Sequence, residues 1–110
     1  MNFQHKELAA GRWFTLSLVE QMANVGSDVG RALNWKAKGN LPYSQKAFER
    51  ALELLDLTLA DRKNIGRLRE VARVREALVD FLAGQNEYSS TEESWKKYFL
   101  QFAFAARKGH

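Results

Sequence analysis

The chain contains no cysteine. Disulfides and thiolate zinc sites are therefore excluded as sources of stability, and a cysteine nucleophile is excluded from any chemistry. A reducing, cytoplasmic setting is the expectation that fits this absence. Histidine is nearly as scarce, with only His5 and His110, both at the ends of the chain. A histidine–carboxylate–serine constellation would have to be assembled from a terminus. The Glu-x-x-His pairs of di-iron bundles do not occur, and Arg107-Lys108-Gly109-His110 does not reproduce the arginine-plus-histidine spacing of bundle ribonucleases. No catalytic residue, metal site or cofactor is expected, and the chain reads as non-enzymatic. Proline occurs once, as Pro42, and no segment shows the period-2 alternation of a half-buried strand. Long apolar runs are missing too. Arg31, Glu53 and Arg75 interrupt the best candidates well short of the roughly 18 apolar residues that a membrane span requires. Met1 to Glu7 offers no apolar core for a secretory signal.

What the sequence does contain is helical periodicity. The 110 residues are 45% hydrophobic, enough for one modest core. The first segment, about 12–38, places Trp13, Leu16, Met22, Val29 and Leu33 on one stripe by steps of three and four. Gly39 follows as its C′ residue, and Pro42 stops easy continuation. A second segment, about 44–60, carries Phe48, Ala51, Leu52, Leu55 and Leu59 inward with Glu49, Glu53 and Asp56 on its flank. After a polar corner from Asp61 to Asn64, a third segment, about 63–83, is closed by Gly84. Its end, Ala77 to Leu82, is apolar nearly all round, as in a central or interface-facing helix. Ser90 and Glu93 have capping-box spacing and open a fourth segment, about 91–107, whose final cations suit the helix dipole. Residues 1–10 read as extended or frayed. Short connections make such helices antiparallel, so the expected fold is all-α: a single up-and-down antiparallel four-helix bundle spanning 1–110 as one domain. A tetratricopeptide-like stretch around Trp35, Phe48 and Ala51 occurs once, and a solenoid needs about three copies.

Two apparent sites read as structural. Gly26-Ser27-Asp28-Val29-Gly30 lies inside a helical pattern without the lysine or the strand-to-helix context of a phosphate loop, so its small residues imply close helix packing. Glu49, Glu53 and Asp56 share a flank but would need further ligands to hold a metal.

The charge is uneven. A net +4 arises from 17 Lys and Arg against 13 Asp and Glu. Arg62, Lys63, Arg67, Arg69, Arg73 and Arg75 face a single acid, Glu70, within their segment, so that stretch is +5 and the remainder of the chain −1. On a continuous α-helix, Arg62, Arg69 and Arg73 form a ridge about 16 Å long, suited to a phosphate backbone. Two readings stay open: an RNA- or DNA-binding face, or a face paired with Glu49, Glu53 and Asp56, in a structural or protein-interaction bundle whose arginines only solubilise it. In the last quarter, Trp95, Tyr98, Phe99, Phe102 and Phe104 exceed what one small core requires and suggest an oligomer interface.

Met22 to Arg31, followed by Ser44-x-x-Ala47-Phe48 and the leucine-rich continuation to Leu59, resembles the four-helix-bundle proteins encoded in 23S ribosomal RNA intervening sequences, a family that includes the accessory variability determinants of retroelements. The resemblance covers about 19–82. Arg31, Ser44 and Phe48 match a helix-1 arginine, a serine opening helix 2 and an aromatic one turn inside it. It implies a basic, non-enzymatic homo-oligomer, often a pentameric ring, that binds nucleic acid or a reverse transcriptase.

Overall fold

In the computed structural model, which describes residues 11–108, the first long helix begins at a capping box rather than at Arg12. Ser17 Oγ accepts from the Glu20 amide at 3.1 Å, and Glu20 Oε1 accepts from the Ser17 amide at 3.0 Å. The box satisfies two amides that the helix cannot pair internally. Ahead of it, Arg12–Thr15 forms one 3₁₀ turn and Leu16 is extended. The α-helices among the described residues are α1 (Leu18–Ala37), α2 (Leu41–Ala60), α3 (Leu68–Ala83) and α4 (Glu92–Lys108), with a second 3₁₀ turn at Arg62–Arg67 before α3. The expected segments 12–38 and 63–83 are thus each a 3₁₀ turn followed by a shorter α-helix. The expectation for residues 1–10 lies outside the described residues.

The other caps also differ by a few residues from the expected ones. Asn40 Oδ1 caps α2 by accepting from the Tyr43 amide at 3.1 Å, so this helix opens at Leu41, a little before the expected start near 44. Pro42 then falls in the first turn, where a missing N–H costs nothing. Ser44 sits inside the helix, and its Oγ donates to the Ala32 carbonyl of α1 at 2.7 Å. At α4, the reciprocal cap is Thr91 with Ser94 instead of Ser90 with Glu93. The Ser94 amide donates to Thr91 Oγ1 at 3.0 Å and the Thr91 amide to Ser94 Oγ at 2.9 Å. Gly39 closes α1 as expected, with φ +79°, a left-handed conformation that glycine adopts without steric cost.

The helices form an all-α antiparallel four-helix bundle. Helix α1 packs against both α2 and α4, and α3 packs chiefly on α2. The inner face of α1 supplies Met22, Val25, Val29, Ala32 and Leu33 to a core completed by Leu55 of α2, Leu78 of α3 and Phe99 of α4. Helix α1, rather than α3, is therefore the shared element. The apolar end of α3 is only partly covered, with Val79, Phe81 and Leu82 half-buried. Gly26 sets the approach of α1 to α4, since a Cβ there would lie 2.8 Å from Phe99 Cβ. Gly30 has open space instead. No helix among the described residues is long and apolar enough to cross a membrane.

One end of the bundle is fastened by buried polar groups. Gln21, fully buried, donates through Nε2 to the Trp13 carbonyl at 3.1 Å and to Asp61 Oδ2 at 2.8 Å. Its Oε1 accepts from Asn64 Nδ2 at 2.9 Å, and Asn64 also donates to the Thr58 carbonyl at 3.0 Å. Trp13 Nε1 donates to Thr58 Oγ1 at 3.1 Å. Lys63 Nζ pairs with Asp61 Oδ2 and reaches the Phe14 carbonyl. Burial alone would raise the Asp61 pKa, but the hydrogen bonds from Lys63 and Gln21 and the charge of Lys63 hold it below the ordinary carboxylate value. Both 3₁₀ turns are thereby tied to α1 and α2.

Candidate anion-binding face

The six cations between Arg62 and Arg75 divide into two groups. Lys63 is held by Asp61. Arg67, at the N-cap of α3, donates to Glu70 Oε1 through Nε at 2.9 Å and Nη2 at 2.6 Å. Arg75 crosses to α2, with its Nε 2.7 Å from Asp56 Oδ1. Among the described residues, no ion pair engages Arg62, Arg69 or Arg73, and all three are exposed. Pairing with the α2 flank therefore occurs at Asp56, while Glu49 accepts from Gln45 within α2 at 3.3 Å.

The expected ridge is shorter than drawn from sequence. Arg62 stands in the 3₁₀ turn, and α-helical pitch begins only at Leu68. Only Arg69 and Arg73, spaced by four, stack on one face of α3 by helix geometry.

Those two arginines border a groove of about 600 Å³ between α3 and α4. Its apolar surface comes from Val74, Ala77 and Trp95, and Ser90 and Ser94 stand on the α4 side. Across it, Tyr98 of α4 donates its hydroxyl to Glu70 Oε2 of α3 at 3.0 Å. Burial, followed by the charge and hydrogen bond of Glu70, raises the Tyr98 pKa well above its ordinary value, with Arg67 opposing in part. The phenol stays protonated, and Arg67–Glu70–Tyr98 acts as a polar strut joining the two helices. The loop after α3 is also fixed: Asp80 accepts from the Glu87 and Tyr88 amides at 2.7 and 3.0 Å.

The aromatic residues expected at an oligomer interface separate in the same way. Trp95, Phe99 and Phe102 are buried in the intramolecular core and are not available as the contact face for a second copy of the chain. Tyr98 is half-buried, and Phe104 is 57% exposed beside Leu100 at 61%. Trp95 Nε1 is buried with no hydrogen-bond acceptor among the described residues.

No group of three or more His, Cys, Asp or Glu placed to hold a metal occurs among the described residues. His5 and His110 lie outside them. Sequence reasoning singled out Arg69 and Arg73 but missed the groove they border, because its other wall comes from residues 17 to 29 positions further on. The Arg67–Glu70 spacing of three was a usable signal that Arg67 is already occupied. No protein-family model, curated protein or solved structure matches the chain, so geometry and charge carry the functional argument.

Proposed function

We propose that the protein is a non-catalytic binding module that engages nucleic acid through the exposed arginines at and before α3. The observation that supports this reading is the sorting of the basic segment. Lys63, Arg67 and Arg75 are paired with Asp61, Glu70 and Asp56, whereas Arg62, Arg69 and Arg73 have no ion pair among the described residues. A guanidinium presents a planar fork of donors that matches phosphate oxygens in pairs. Contacts of this kind position a backbone without reading bases, so binding is weakly sequence-specific and salt-dependent. The test is a titration of labelled single- and double-stranded RNA and DNA followed by anisotropy at several salt concentrations. Replacing Arg69 and Arg73 by Gln should weaken binding at least tenfold and reduce the salt slope by about 1.4–1.8, since each lost phosphate contact removes roughly 0.7–0.9. Unchanged affinity and slope would refute the assignment.

Self-association is the second reading, favoured by Leu100 and Phe104. They lie one turn apart on α4, both more than half exposed, with Lys108 Nζ 5.4 Å from the centre of the Phe104 ring. Such a pair of large apolar side chains suits an interface between copies of the chain, the oligomeric state that the family resemblance also implies. Sedimentation over a concentration series should show an assembly larger than the monomer, and Leu100→Glu with Phe104→Glu should dissociate it. A monomer at every concentration rejects this interface.

A further inference from the structure

We propose that the groove between α3 and α4 is a binding site for a small amphipathic organic anion, its charged head held by Arg69 and Arg73 and its apolar body lying on Val74, Ala77 and Trp95. The groove is of suitable size: about 600 Å³ falls inside the range of about 300–1,000 Å³ found for small-ligand sites. Its character is mixed in the way such sites are, with an apolar floor and a few converging polar groups.

Charge points to an anion. The one carboxylate on the wall, Glu70, is already engaged, by Arg67 on one oxygen and by the Tyr98 hydroxyl on the other. It therefore offers little attraction to a cation. Arg69 and Arg73, by contrast, border the groove with no ion pair among the described residues. A fork of two guanidiniums one helical turn apart suits a carboxylate or phosphate monoester head. Trp95 adds an independent observation. It stands between this groove and a smaller one of about 220 Å³ against α1, and its Nε1–H is buried without an acceptor among the described residues. Native structures seldom leave a buried donor alone, and a ligand lying against Trp95 is a source of the missing acceptor.

A polynucleotide backbone, being charged along its length, gains nothing from an apolar floor. A short hydrocarbon chain or ring does gain from it. The small-ligand site is thus separate in chemistry from the nucleic-acid face, although both draw on Arg69 and Arg73, and occupancy of the groove should compete with phosphate contacts at those two residues.

The test is isothermal titration calorimetry of the intact protein with four probes of equal chain length: octanoate, octyl phosphate, 1-octanol and octylammonium. The two anions should bind with saturation at one site, at least tenfold more tightly than octanol, and octylammonium should not saturate. Arg69→Gln with Arg73→Gln should bring octanoate down to the affinity of octanol. Ala77→Phe, which fills the floor, should abolish octanoate binding while leaving the salt dependence of RNA binding unchanged. If that variant does not fold, Ala77→Leu, a smaller enlargement at the same position of the lining, serves the same purpose. Absence of saturable octanoate binding, equal affinities for octanoate and octanol, or undiminished binding in the groove-filling variant would each overturn the proposal. Loss of RNA binding with retained octanoate binding, or the reverse, separates failure of one reading from failure of the other.

Discussion

Trp13→Ala is expected to destabilise the protein by about 3–5 kcal/mol, the usual cost of emptying a large aromatic site in a core. The residue precedes the first α-helix, yet it is only 1% exposed and heads the set of largest fully buried side chains. Two losses add. The cavity left at the foot of α2 removes packing from every neighbour, and Thr58 Oγ1 loses the indole donor that reaches it at 3.1 Å. Against a total folding stability of about 5–15 kcal/mol for a domain of this kind, the loss removes from about a fifth to all of it. Urea denaturation followed by circular dichroism would show a fall in midpoint with an unchanged slope. Trp13→Phe separates the two contributions, because it keeps most of the volume and removes only the donor. Its cost should be about 1–2 kcal/mol. Phe14→Ala, next in sequence but 39% exposed, is the control and should change stability far less. A Trp13→Ala loss no larger than that of Phe14→Ala would show that the 3₁₀ turn is not part of the cooperative core.

The bundle itself was legible because α-helical periodicity is local. Steps of three and four from Met22 to Leu33, or from Phe48 to Leu55, fix which face is buried without knowledge of the partner. The 3₁₀ turns were not legible for the same reason. Trp13 and Leu16 continue the apolar phase of α1, so nothing in the spacing betrays the extended break before Ser17. Caps shifted by a residue or more where two candidate side chains stood close together: Ser90 and Thr91 both offer a hydroxyl, and only the Thr91–Ser94 pair closes reciprocally. Site residues were harder still. Whether an arginine is occupied depends on acids brought in by tertiary structure, as when Asp56 meets Arg75 across two helices. Aromatic excess in α4 was visible, but its meaning was not. Trp95, Phe99 and Phe102 could be assigned to the core only once α1 offered Gly26 as the place where Phe99 fits.

Gln21→Leu should cost about as much as Trp13→Ala, for a different reason. Leucine has nearly the right volume and fits an apolar neighbourhood, so the cavity contribution is small. The loss comes instead from the partners left behind. Asp61 Oδ2 and the Trp13 carbonyl lose a donor, and Asn64 Nδ2 loses one of its two acceptors. Leaving a buried polar group unpaired costs about 1–3 kcal/mol, more when it is charged. With Lys63 still on Asp61 and Thr58 still accepting from Asn64, a total of about 3–5 kcal/mol is expected. The effect should also depend on pH in a defined direction. The folded-state pKa of Asp61 lies below the ordinary carboxylate value, so its contribution is fully present above the unfolded value of about 3.9 and is lost as pH falls through the lower folded value. Removing the Gln21 donor takes away one of the interactions that lower this pKa while burial, which raises it, remains. In Gln21→Leu the carboxyl should therefore take up its proton at a higher pH, and acid unfolding should begin earlier than in the wild type. Urea midpoints measured between pH 7 and pH 3 test both parts. A variant that loses less than about 1 kcal/mol at pH 7 and unfolds in acid at the wild-type pH would mean that Lys63 alone satisfies Asp61. The buried amide would then serve shape rather than charge. The double variant with Trp13→Phe decides between these, since partners in one hydrogen-bonded network show non-additive losses and independent sites do not.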